Sequence, residues 1–160
     1  MCRLWGWSAC ILGAVACGTF DPGNDGLVLP EGTWTGFYTI FENQCGVESK
    51  TLATSMVLSR SSRDGFRLID EEGHVYRCRS EVTSSVCDAV VLLREPSPVV
   101  GGMVTIEVSE SVTFFLPSLT NINGDSTVDM ACQGALCNEF EIVALPCSYA
   151  KTLVLSFVGS

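Results

Sequence analysis

A chain of 160 residues, 47% hydrophobic and 17% charged, has the composition of one packed domain, long enough to bury a core without a structural metal. Its formal charge of −9, with no basic cluster to offset it, argues against a nucleic-acid-binding surface, because an acidic face repels phosphate backbones. After the first few residues no apolar run approaches the roughly 18–20 residues needed to cross a bilayer, so the positive mean hydropathy reflects one short segment at the start.

That segment begins with Arg3, continues as an uncharged stretch over 4–16, and closes with small residues before a cysteine, Ala14-Val15-Ala16-Cys17. A basic start, a short apolar core and a small-residue processing site are the parts of a secretory signal. The motif Ala14-Val15-Ala16-Cys17 resembles the processing site of bacterial lipoproteins. The resemblance implies that 1–16 is removed and that Cys17 is lipidated, so that the domain is held at a membrane of the cell envelope. Gly18, rather than aspartate, after the cysteine implies onward export to the outer membrane of a Gram-negative cell. Removing Arg3 leaves 8 basic residues against 18 acidic ones, a net −10, so contact with the membrane is expected through the acyl chains and not the protein face.

Residues 18–32 hold four glycines, two prolines and three acidic residues, and 17–31 is read as the lipidated cysteine with a flexible tether, ahead of a β domain over 32–160. Asp21 and Asp25 lack the spaced oxygen ligands and terminal bidentate acid of a calcium loop.

From Trp34 onward the dominant period is two. Over 103–116, Val104, Ile106, Val108, Val112, Phe114 and Leu116 share one face against polar neighbours, which predicts a half-buried antiparallel strand. Glu110 lands on the apolar face, and a bulge there is expected, since no glycine or asparagine is present for a tight turn. Further strands are predicted over 34–41, 52–60, 66–70, 75–79, 86–94, 126–131, 139–145 and 152–158. Turn chemistry at 63–65, 70–73, 96–102 and 121–125 separates them. The inward set is expected to include Trp34, Tyr38, Ile40, Met56, Leu58, Phe66, Leu68, Val90, Leu92, Val128, Met130, Phe140, Ile142, Leu153, Leu155 and Phe157. Eight or nine short strands with local turns predict an all-β antiparallel meander closing into a full or partly open β-barrel, with a β-sandwich as the alternative. At its start, Gly32-Thr33-Trp34 resembles the opening of lipocalin-like barrels, which implies a tryptophan plugging a closed end and an interior able to hold a small apolar ligand.

Of nine cysteines, Cys2 and Cys10 belong to the signal and Cys17 to the anchor, leaving Cys45, Cys78, Cys87, Cys132, Cys137 and Cys147. An even set in an exported domain reads as disulfides, with 15 connectivities open. Cys78 and Cys87 flank a hairpin, Cys132 and Cys137 bracket a short interval, and Cys45 with Cys147 then joins the first and last strands, which are neighbours in a closed meander. Zinc at the Cys132–Cys137 spacing is the competing reading, disfavoured by the export signal and by a single histidine; no metal and no cofactor are expected.

That histidine, His74, sits beside a turn and reads as a solvated residue, Asp70-Glu71-Glu72 as a hairpin tip, and Arg77 and Arg79 as solvated edge charges. No Gly-x-Ser-x-Gly elbow, phosphate loop or dinucleotide fingerprint is present. The expectation is a non-catalytic envelope lipoprotein whose β domain is structural or binds an envelope protein. A lipocalin-like carrier or sensor of a small apolar ligand is the alternative, and an envelope hydrolase with a loop-built site comes last. The barrel interior discriminates: a large cavity favours the carrier, a filled core the protein-binding domain.

Overall fold

The computed structural model describes residues 28–81, 83–139 and 145–160. Among them run β1 (Gly32–Asn43), β2 (Thr51–Ser62), β3 (Gly65–Asp70), β4 (Val75–Ser80), β5 (Ser85–Cys87), β6 (Val90–Val99), β7 (Gly102–Ser118), β8 (Asn121–Gln133) and β9 (Cys147–Gly159), with a 3-10 turn at Cys137–Glu139. All ladders are antiparallel, in the order β5-β4-β3-β2-β1-β9-β8-β7-β6. The short β5 also pairs with β7 through Ser85↔Phe114 and Val86↔Thr113, which closes eight strands into a barrel and leaves β6 as an extra strand along the first half of β7. The predicted meander is thus a closed barrel and not a sandwich.

Side-chain alternation builds this wall. Along β8, Ile122, Gly124, Ser126 and Val128 are buried, while Asn121, Asn123, Asp125, Thr127 and Asp129 face solvent. The predicted turn at 121–125 is therefore strand, and the chain reverses at Leu119-Thr120 instead. Gly124 is there for packing: a Cβ would sit 2.8 Å from the Phe114 ring. Gly36 plays the same part between β1 and β9, where a Cβ would lie 1.8 Å from the Val154 carbonyl oxygen, and such close approach lets the sheet coil into a barrel.

Three further boundaries differ. The strand expected over 86–94 is interrupted at Asp88-Ala89, because β5 must stay beside β4 while β6 departs along β7. Pro96 to Val99 belong to β6, and the turn narrows to Val100-Gly101; prolines are tolerated because β6 is an edge strand. Finally, β7 carries no bulge at Glu110, since its register with β8 is unbroken from Thr105↔Gln133 to Phe115↔Asn123. The shift lies in β6, between Val91 and Leu93. Of the strand expected over 139–145, 140–144, with Phe140 and Ile142, lies outside the described residues, and so do 1–27, with the Ala14–Cys17 motif and Cys17 itself.

The main core cluster fills one end of the barrel, while Ile40, Val104, Ile106 and Val128 are buried apart from it. Trp34, Leu58, Leu68, Phe114, Ile122 and Leu155 are fully buried in the cluster. Trp34 packs on Phe157 with ring centroids 5.4 Å apart, and Phe66 on Phe114 at 6.0 Å. Leu29 joins this cluster and Pro30 accepts a hydrogen bond from Trp34 Nε1 (3.2 Å). The packed domain therefore begins before Gly32, inside the stretch read as tether, because the tryptophan needs a partner for its N–H and an apolar cover.

Three disulfides tie the described residues. Cys78–Cys87 bridges directly opposed residues of β4 and β5 inside the core cluster. Cys132–Cys137 joins the end of β8 to the 3-10 turn, and Cys45–Cys147, 102 residues apart, fastens the segment after β1 to the start of β9. These are the pairs that strand placement pointed to.

Candidate functional site: the polar mouth of the barrel

Above the packed end the inward positions change character. Strand parity turns Glu110 of β7, Lys151 of β9, Tyr76 of β4 and Tyr38 of β1 toward one space. Lys151 Nζ lies 2.7 Å from Glu110 Oε1, the two side chains being 16% and 7% exposed. The Tyr76 hydroxyl donates to Glu110 Oε2 (3.0 Å), and the Lys151 ammonium stands 5.2 Å over the Tyr38 ring. An ion pair this buried is costly to desolvate unless its remaining lone pairs are bonded, and both Glu110 oxygens are. Burial pushes the Tyr76 hydroxyl far above its ordinary pKa, with the Glu110 charge adding to it. Tyr38 and Tyr149 are raised for the same leading reason, Glu72 and Glu110 contributing at Tyr38, Glu110 and Tyr38 at Tyr149. All three phenols are thus neutral donors at physiological pH.

The same groups close the seam of the barrel. Lower down, β5 links β4 to β7 by backbone pairing. Higher up, side chains span the gap: Tyr76 reaches Glu110, and His74 reaches β6. Asp70 Oδ1 accepts from the backbone N–H groups of Glu72 (3.0 Å) and His74 (2.8 Å), shaping the β3–β4 turn. Its Oδ2 meets His74 Nδ1 at 2.8 Å, and His74 Nε2 lies 3.0 Å from the Leu92 carbonyl oxygen. Leu92 is the residue skipped in the β6–β7 register, so the bulge aims its carbonyl away from the ladder. His74 is consequently a clamp, its side chain only 22% exposed, and not the solvated residue its place beside a turn implied. Its pKa is raised, chiefly by the hydrogen bond to Asp70, although burial opposes the charge.

Between these groups lies a cavity of about 170 Å³. Met56, Leu92, Val112, Phe114 and Leu153 supply its apolar lining, and Glu110, Lys151 and Ser126 its polar one. Ala53-Thr54 at the start of β2 and Asp70-Glu71-Glu72 in the β3–β4 turn also line it, with Ala53, Glu71 and Glu72 exposed. Ser126 is 7% exposed and cross-strand from Lys151, and its Oγ has no hydrogen-bond partner among the described residues.

Asp70, Glu72 and His74 also bring potential ligand atoms within 4.8 Å of one another. Both ring nitrogens of His74 are committed, however, to a carboxylate and a carbonyl, so the trio is a hydrogen-bonded turn whose bonds a metal would first have to displace. The same commitment leaves the imidazole no free nitrogen with which to activate a nucleophile.

Of the residues singled out by sequence, the six cysteines pair as described, Cys78–Cys87 within the core cluster, and none of them lines the mouth cavity. Arg77 and Arg79 are exposed on the outer wall, Arg79 beside Asp88 at 3.4 Å. The Glu110–Lys151–Tyr76 network is what sequence reasoning missed. A signal for it existed: Glu110 on an apolar face, and Lys151 two places before the inward Leu153, are opposite charges of the same inward parity. No family model, curated protein or solved structure matches this chain.

Proposed function

We propose that this protein is a non-catalytic, membrane-tethered binding domain that holds a small polar ligand in the mouth of its barrel. The observation that carries the reading is the asymmetry of the interior: one end is filled by Trp34 and its neighbours, and the other keeps a cavity with a buried, unpartnered Ser126 hydroxyl. An apolar cargo suits this interior less well. About 170 Å³ is smaller than the roughly 300–1,000 Å³ of sites for drug-sized ligands, and the lining carries four carboxylates and an ammonium. His74, with both nitrogens bonded, supports the non-catalytic part.

The tether is read from Ala14-Val15-Ala16-Cys17. The described chain enters at the packed end through Leu29 and Pro30, so the segment leading from Cys17 joins the barrel at the end away from the mouth. Cys17→Ala should release the protein from the membrane fraction of a Gram-negative host or leave it unprocessed. A correctly cleaved Cys17→Ala protein that still sediments with membranes would rule the anchor out.

An NMR screen of the oxidised protein against small neutral, anionic and cationic metabolites tests the binding part. Saturable shifts confined to Tyr38, Tyr76, Ser126 and Lys151 are expected for at least one class. A mouth silent to every class overturns the reading.

The outer wall favours a second reading, a surface that binds an envelope protein. Phe37 (60% exposed), Val154 and Phe115 lie in one cross-strand row over β1, β9, β8 and β7, Asn123 completing it. Beside them, Phe41, Phe115 and Ala150 line a shallow depression of about 590 Å³.

A further inference from the structure

The geometry points to a small organic cation as the ligand of the mouth: an ammonium group on a short chain that ends in a hydroxyl. This rests on the binding reading above and names its ligand class. Charge comes first. The cavity is lined by Asp70, Glu71, Glu72 and Glu110 against one ammonium, that of Lys151. Lys151 answers Glu110, and Asp70 is turned onto His74. Glu71 and Glu72 are left at the rim, where Glu72 has only a 3.7 Å approach to His74 and an 80% exposed side chain. Glu71, without an ion-pair partner among the described residues, and Glu72, whose nearest cation is His74 at 3.7 Å, leave negative charge at the entrance to a low-dielectric cavity, which concentrates cations and repels anions.

The walls are already suited to an ammonium group. Tyr38 offers its ring face to the Lys151 ammonium, and Tyr76 lines the same space, so the wall already holds one ammonium by an aromatic face and a carboxylate.

Ser126 supplies the observation independent of charge. A buried hydroxyl without a partner is destabilising until something bonds to it, and this one lines the cavity beside Lys151. Lys151 spends one of its three N–H donors on Glu110 Oε1. A ligand hydroxyl in that corner accepts from Lys151 and exchanges a hydrogen bond with Ser126, while the ammonium at its other end reaches the rim. An anion would satisfy the corner but not the rim, and a neutral polyol would leave the Glu71 carboxylate unanswered.

The test is an NMR titration of the oxidised full-length protein in detergent with 2-aminoethanol, ethylene glycol and glycolate. Expected are saturable shifts at Ser126, Lys151 and Glu72 with 2-aminoethanol, at an affinity at least tenfold above that of the other two. Glu72→Gln, on an exposed side chain, should weaken 2-aminoethanol roughly fivefold. Ser126→Ala should weaken it about fivefold to tenfold, with a melting temperature no lower than that of the wild type showing that the fold is retained. If ethylene glycol or glycolate binds as tightly in the mouth, or if Glu72→Gln leaves the affinity unchanged, the cation assignment is overturned while the binding reading stands. No response to any of the three, nor to the wider metabolite set, overturns both.

Discussion

The two ends of this barrel are made from the same strands and solve closure differently. At the packed end the wall is continuous, with β5 pairing to β4 and β7, and the interior is filled by Trp34, Leu58, Phe114 and Ile122. At the mouth β4 and β7 are no longer bridged by a strand. Tyr76–Glu110–Lys151 and Asp70–His74–Leu92 hold the seam with side chains, and a cavity persists between them. Burial without directionality makes the first end stable, because apolar side chains need only fill space. Polar groups cannot fill space so freely, since each must keep its partners, and volume is left between them.

Stability measurements should separate the two ends. Trp34→Ala attacks the filled end and should cost about 3–5 kcal/mol, read by denaturant unfolding of the oxidised protein. A loss below about 1 kcal/mol would mean that the tryptophan is not the keystone its burial implies.

At the mouth, Lys151→Met should cost about 3 kcal/mol, because it leaves the Glu110 carboxylate buried with Tyr76 as its remaining hydrogen-bond partner. Adding Glu110→Gln to that variant should return most of the loss, since the uncompensated charge is gone. Apolar replacement at Trp34's end has no such second-site recovery, and this contrast is the sharpest distinction between the two closures. Additive losses in the double variant would show that the pair is not coupled.

The smallest expected effect is a dependence on pH at the His74 clamp. Its pKa is raised in the folded protein, chiefly by Asp70, so folding binds the proton more tightly than the unfolded chain does. The stabilisation is therefore fully present below the unfolded value of about 6.5 and is lost as pH rises through the higher folded value. Wild type should exceed His74→Ala by roughly 0.5–1 kcal/mol at pH 5.5, with the gap shrinking by pH 9. A gap that grows with pH would reverse the sign and overturn the clamp.

Much of the fold was legible because it is written in local order. Alternation along 103–116 and the inward set Trp34, Leu58, Leu68 and Leu155 follow from strand parity alone. The cysteine pairs were legible because strand order limits which thiols can meet. Asn121-Ile122-Asn123-Gly124-Asp125 has the composition of a turn yet lies in mid-sheet. Local turn propensity lost there to pairing on both edges of β8 and to the Phe114 ring, which needs the space a glycine leaves.

The sequence by itself determined the all-β class, the face on which Glu110 sits and the six cysteines of the β domain, since each depends on neighbours a few residues away or on counting. Only the tertiary structure decided that β5 closes the barrel, that Glu110 finds Lys151 and Tyr76, and that Leu92 presents a carbonyl to His74. Those contacts join residues from strands far apart in the chain. Their geometry is set by how eight twisted strands close, a property of the whole wall and of no single segment.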